Sequence, residues 1–212
     1  MTELKFNIAH GSLKSNQYYQ QEQKKDQICL HHTAGGSAQS SVDWWNSKPD
    51  HISTPYLIDR DGTIIETYPP KYWAYALGLT DGTATEKRTI HIEICNWGWL
   101  VKKGSKFYRA GNQLKEIPAD QVISYKTEHR GFLHFERYTQ EQIDALVFLI
   151  GKLMHDFGIK ISNVEKFWHF GAKSKGLISH TTVRRDKSDI HPQPELIAAI
   201  YKMAGCTAPI TE

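Results

Sequence analysis

At 212 residues the chain has the length of one domain built on one core. Its 40% apolar and 23% charged content is that of an ordinary globular protein, and no apolar run approaches the roughly eighteen residues of a membrane span, which excludes an integral helical membrane protein. The formal charge of +3 comes from scattered lysines and one denser patch at Lys102, Lys103, Lys106 and Arg109. Without an accompanying motif that patch argues against nucleic acid and suits an anionic polymer of another kind.

The first residues, Met1 to Ile8, have neither an apolar stretch nor a small-residue cleavage site for a secretory signal, so the expectation is cytoplasmic synthesis without ordinary secretion. Residues 1–26 are polar and read as an N-terminal extension, 27–205 as the domain, and 206–212 as a tail. From Gln27 to His32 an apolar run predicts a buried strand that ends at His31 and His32. Ser37 then suits the N-cap of a short helix carrying Val42, Trp44 and Trp45.

Pro55 to Tyr68 holds two extended stretches around Asp61-Gly62, a hairpin signal. Thr89 to Cys95 is rich in β-branched residues and predicts a strand with His91, Glu93 and Cys95 on one face. Thr139 to Phe157 repeats apolar residues at helical spacing, with Thr139 and Gln142 placed for a capping box and Gly158 for the end. Gln193 to Ala204 reads as a last helix, opened by Pro194 and closed by Gly205. Strands with interspersed helices predict an α/β domain, one mixed central sheet flanked by helices. Three cysteines, Cys29, Cys95 and Cys206, give no disulfide framework, because two sit in strand-like runs as small hydrophobes.

The chemistry concentrates in two segments, Cys29 to Gly35 and Ser179 to Asp189. His31, His180 and Asp189 supply two imidazoles and one carboxylate, a set that suits a single Zn²⁺ with one position left open for water, and hence catalysis. His191, two residues beyond Asp189, is the rival third ligand. Glu93 in an apolar strand is costly to bury without a role, which marks it as a candidate general base. Lys187 is a candidate donor to an oxyanion, with a plain surface lysine as the alternative. Arg184 or Arg185 suits a peptide carboxylate. Trp97 and Trp99 after Asn96 are the tryptophans best placed to line a groove, the others being more often packing residues.

In this order, the His31-His32-Thr33-Ala34-Gly35 segment, the Tyr56 to Ile64 hairpin, Trp73 to Gly78, Ile92-Glu93 with Asn96, and His180 to Asp189 resemble the zinc-dependent N-acetylmuramoyl-L-alanine amidases over Gln27 to Ala204. The Lys187-Ser188-Asp189 segment resembles the branch whose third zinc ligand is aspartate. The resemblance implies His31, His180 and Asp189 as metal ligands, Glu93 and Lys187 as catalytic residues, and Tyr56, Trp73, Asn96, Trp97 and Arg184 at the substrate. For Tyr56 and Trp73 a plain core role is the alternative. Ala76 stands where many members have histidine, and Pro55 and Thr54 depart from the pattern before the hairpin tyrosine.

The implied reaction is hydrolysis of the amide between N-acetylmuramic acid and L-alanine in peptidoglycan. It fits a compact endolysin, a cytoplasmic enzyme recycling muropeptides, or an exported amidase with an immunity partner. The expected partner is peptidoglycan or its fragments, with no nucleic acid or membrane, and the expected state is a monomer. Two rivals are a muropeptide-binding protein that does not cut and a zinc hydrolase of a different amide.

Overall fold

The computed structural model describes residues 8–79, 82–111, 115–161, 164, 167–171 and 175–205. Its centre is a six-stranded sheet of β1 (Ile8–His10), β2 (Gln27–His32), β3 (Tyr56–Ile58), β4 (Ile64–Glu66), β5 (Thr89–Ile94) and β11 (Gly176–Ser179). The strand order is β1-β4-β3-β5-β2-β11. All neighbours are parallel except the β3–β4 hairpin, so the sheet is mixed, as the sequence predicts. In β2 every residue is buried, as befits a strand covered on both faces.

The two faces bury different things because alternate side chains point opposite ways. Ile28 and Leu30 of β2 and Ile90, Ile92 and Ile94 of β5 face the main core. They meet α3 (Gln140–Phe157) and α5 (Pro194–Met203), whose Ile143, Leu146, Leu149, Ile150, Leu196 and Ile200 pack there. Thr139 forms the expected capping box with Gln142, and Gly158 closes α3 at φ 64°, a left-handed conformation favouring glycine. On the other face, Leu57 and Cys95 pack with Ala38, Val42 and Trp45 of α1 (Ala38–Asn46), capped by Ser37. His31, His91 and Glu93 lie on this second face of β2 and β5. Shorter elements complete the frame: α2 (Ala84–Arg88) before β5 and α4 (His180–Val183) after β11.

Two small antiparallel sheets flank the core, one of β6 (Leu100–Lys103), β7 (Lys106–Arg109) and β8 (Glu116–Ile117), the other of β9 (Val122–His129) and β10 (Phe132–Glu136). Residues 8–26, read from sequence as a polar extension, lie against the domain. Ile8–His10 adds a parallel strand beside β4. Tyr19 stacks on Trp73 at 4.2 Å and on His51 at 4.6 Å between centroids. Lys25 is buried, its Nζ donating to the carbonyls of Lys87 and Thr89. Polar residues here find backbone partners, which composition does not reveal. The tail at 206–212 lies outside the described residues. No helix among the described residues is long and apolar enough to cross a membrane.

Candidate metal centre and catalytic cleft

His31 enters the site near the C-terminal end of β2 and is paired in register with Glu93 on β5. His180 opens α4 directly after β11, the strand on the other side of β2. Thr182 Oγ1 accepts from the backbone N–H of Ser179 at 3.1 Å, fixing the strand-to-helix corner. Asp189 returns beside it, its backbone carbonyl accepting from Thr181 N.

The three side chains converge. His31 Nδ1 lies 3.2 Å from both His180 Nδ1 and Asp189 Oδ2, and His180 Nδ1 lies 3.0 Å from Asp189 Oδ2. All three residues are buried. Burial lowers the His31 pKa to about 3, despite the Asp189 carboxylate beside it, so its imidazole is neutral at neutral pH. Burial opposes ionisation of Asp189, but the two imidazoles beside it, His180 first, outweigh that and hold the carboxyl well below the usual range.

Proton bookkeeping shows what this cluster suits. His180 Nε2 lies 3.1 Å from the carbonyl oxygen of Leu77, which only accepts, so Nε2 carries a proton and Nδ1 is the nitrogen left to bind a metal. A second inward nitrogen and a carboxylate oxygen face it. Two imidazole nitrogens and one carboxylate make a donor set for a divalent metal with room for a further ligand.

The cluster forms the wall of a cavity of about 600 Å³ whose lining includes Ala76, Glu93, Trp97, His180, Lys187 and Asp189. A second cavity of about 460 Å³, toward Trp44 and Trp45 of α1, shares Thr33, Ala34, Glu93 and Trp97 with it, so Glu93 stands where the two meet. Glu93 Oε2 is buried with no hydrogen-bond partner. Burial pushes this carboxyl well above its ordinary pKa, the charge of Asp189 adds to the rise, and Lys187 opposes it.

Of the residues expected at the site, His31, His180, Asp189, Glu93, Lys187 and Trp97 come together at this cleft. Arg184 lies beside it, lining an adjoining cavity with Ala76, His180 and Lys187. Its guanidinium pairs with Asp186 and donates to the carbonyls of Leu77 and Gly78. Three others are placed elsewhere. Tyr56 is 1% exposed in the main core and donates to Glu66 at 2.8 Å, because its strand position falls on the apolar face. Trp73 is buried against Tyr19 and Tyr75, with the Lys87 ammonium over its ring. Asn96 holds the chain after β5: its amide donates to the carbonyls of Glu136 and Arg137 and its oxygen accepts from Gly98 N.

The rival ligand His191 is turned away. Its Nδ1 meets Tyr125 Oη at 2.7 Å, its Nε2 donates to the Glu136 carbonyl at 2.9 Å, and its ring stacks on Tyr138. His32, on the opposite side of the strand from His31, bonds Tyr138 Oη. Two further residues join the site from behind: His91, which strand alternation puts on the Glu93 face and whose Nδ1 lies 3.0 Å from His31 Nε2, and Glu86, which has no sequence signal and whose Oε2 lies 3.3 Å from His91 Nε2. A short polar helix such as α2 gives no periodicity that marks one of its glutamates as buried.

The mixed sheet thus carries two histidines and a carboxylate beside the half-buried Glu93. The chain belongs to the N-acetylmuramoyl-L-alanine amidase family, whose profile matches residues 21–194. No curated protein matches it by sequence. Among solved structures, the catalytic domain of PlyG is 16% identical, with 98% of this chain and 99% of that one covered at a TM-score of 0.54. The E. coli N-acetylmuramyl-L-alanine amidase AmiD, in complex with anhydro-N-acetylmuramic acid-L-Ala-D-gamma-Glu-L-Lys, is 18% identical, with coverage of 89% and 60% and a TM-score of 0.56. The endolysin amidase LysCS of Clostridium intestinale is 15% identical, with coverage of 92% and 95% and a TM-score of 0.51. At these identities the likeness is one of fold.

Proposed function

We propose that this amidase is zinc-dependent and cuts the amide between the lactyl group of N-acetylmuramic acid and L-alanine in peptidoglycan or its soluble fragments. The observation that carries the reading is the convergence of His31 Nδ1, His180 Nδ1 and Asp189 Oδ2 on one point beside the unpartnered Glu93. These three atoms would hold Zn²⁺, which supplies a water of pKa about 7 and polarisation of the scissile carbonyl.

The chain's own residues do the rest. Glu93 accepts a proton from the attacking water and returns it to the nitrogen of the departing L-alanine, and its raised pKa favours holding that proton between the two transfers. Lys187, across the same cavity, places an ammonium toward the oxygen that gains charge, a donor of a kind worth about 3 kcal/mol in the transition state. Trp97, at the junction of the two cavities, offers an apolar face to the substrate. Arg184 stands where the adjoining cavity opens and suits a stem-peptide carboxylate.

The enzyme acts as a monomer on wall or wall fragments, without nucleic acid or membrane as partner. The experiment is the digestion of purified peptidoglycan followed by mass spectrometry. Peptides with a new L-alanine N-terminus support the amidase; intact glycopeptide that stays bound to the protein supports a recognition protein.

A further inference from the structure

One buried carboxylate reaches both histidines of the metal cluster without touching either. Glu86 is 1% exposed and closes α2 onto the loop that runs past the cleft. Its Oε1 accepts from Leu77 N at 2.8 Å and its Oε2 from Ala76 N at 3.1 Å. The same Oε2 lies 3.3 Å from His91 Nε2, a buried nitrogen that has no hydrogen-bond partner, so Glu86 is the charged group it faces. From there two arms run to the cluster. Along one, His91 Nδ1 lies 3.0 Å from His31 Nε2. Along the other, Leu77, pinned by Glu86 at its N–H, receives His180 Nε2 on its carbonyl at 3.1 Å.

We propose that Glu86, through His91 and through the Leu77 carbonyl, is the positioning residue that sets the tautomer of both histidine ligands and so the affinity for the metal. The inference rests on the zinc reading given above. Its logic is that of donors and acceptors. An ionised Glu86 only accepts, so neutral His91 keeps its proton on Nε2 and offers a lone pair at Nδ1. His31 must then donate from Nε2, which leaves its Nδ1 lone pair facing His180 and Asp189. The Leu77 carbonyl imposes the same choice on His180. Two backbone N–H donors, the pairing with His91 and the nearby Lys25 keep the buried charge of Glu86 supported.

An amide at this position reverses the first arm while keeping the shape. The NH₂ group of Glu86→Gln, at the Oε2 position, donates to His91 Nε2 and gives up the bond from Ala76 N; His91 then donates from Nδ1 to His31 Nε2, and the proton of His31 moves to Nδ1, where it blocks the metal. Its remaining oxygen still accepts from Leu77 N, so the His180 arm survives in this variant and is lost in Glu86→Ala.

The test is zinc titration against a chromophoric chelator, with ¹⁵N-labelled histidine spectra of the metal-free proteins as the second readout. Glu86→Gln is expected to weaken zinc binding by about 10- to 100-fold and to move the His31 ring proton from Nε2 to Nδ1 while His180 keeps its own. Zinc affinity within twofold of the wild type, with unchanged ring protonation, would overturn the inference. If Glu86→Gln does not fold, His91→Phe takes its place in the titration, with a loss of the same order expected and unchanged affinity again contrary. Asp189→Ala separates the two levels of the account: its loss of zinc beside unaltered Glu86 and His91 variants sinks the relay alone, whereas a wild-type protein that binds no zinc sinks the metal reading and the relay with it.

Discussion

His31 and Glu93 are register partners on adjacent parallel strands, β2 and β5, with their side chains on the same face of the sheet. This pairing sets a proposed metal ligand and the Glu93 carboxyl side by side on the sheet, so their separation does not depend on loop conformation. The proposed base and the proposed metal are thus held by the part of the fold least able to move.

Replacing Glu93 with glutamine should leave that floor intact and remove only proton transfer. Turnover is expected to fall by about 100- to 10,000-fold, with one zinc per chain retained. Parallel measurement of product release and bound metal checks it, and loss of zinc in the variant would make Glu93 a structural member of the centre.

The raised pKa of Glu93 carries a stability consequence of definite sign. Between the unfolded value and the higher folded value, the folded protein binds more protons than the unfolded chain, so this group's contribution to stability declines as pH rises. In metal-free protein, Glu93→Gln should therefore be more stable than wild type near pH 7, and the gap should close as pH falls toward the ordinary carboxylate range. Urea unfolding of both proteins from pH 4 to 8 measures the gap, and a difference independent of pH would refute the burial argument.

Because the three proposed ligands come from β2, α4 and the segment after it, metal should tie these elements together. Zinc at about 100 times its Kd should stabilise the fold by about 2.7 kcal/mol, an effect that Asp189→Ala should abolish. Thermal melts with and without chelator give the comparison.

Trp73 and Trp97 should separate stability from binding. Trp73, 5% exposed in the stack with Tyr19, should cost about 3 to 5 kcal/mol on truncation to alanine while leaving KM of the folded protein nearly unchanged. Trp97, whose ring carries Arg109 at 4.5 Å and lines both cavities, should raise KM about tenfold on truncation with a smaller loss of stability. Steady-state kinetics and urea midpoints on the two variants decide it.

The contrast between these tryptophans also shows what sequence could deliver. Helical period and capping residues placed α1, α3 and α5, because those signals are local, and the alternation of side chains along β2 puts His31 and His32 on opposite faces. Tyr56 shows the limit: its landmark position in the hairpin says nothing of which face of the sheet it takes, and the apolar face wins. Asn96 and Trp73 likewise spend their polar and aromatic groups on neighbouring backbone and on the N-terminal segment. That segment looked detached because its binding to the domain is made by backbone pairing and by stacked rings, neither of which leaves a composition signal. Glu86 was hidden for the same reason, since what makes it matter is two backbone N–H groups nine and ten residues away and a histidine brought in by the fold.

The most direct measurement of the central claim is mass spectrometry of purified peptidoglycan incubated with the protein, with and without a zinc chelator. The account predicts release of stem peptides bearing a free L-alanine N-terminus, abolished by the chelator and restored by added zinc. Release that persists in chelator, or no such peptides from fully zinc-loaded protein, would contradict it.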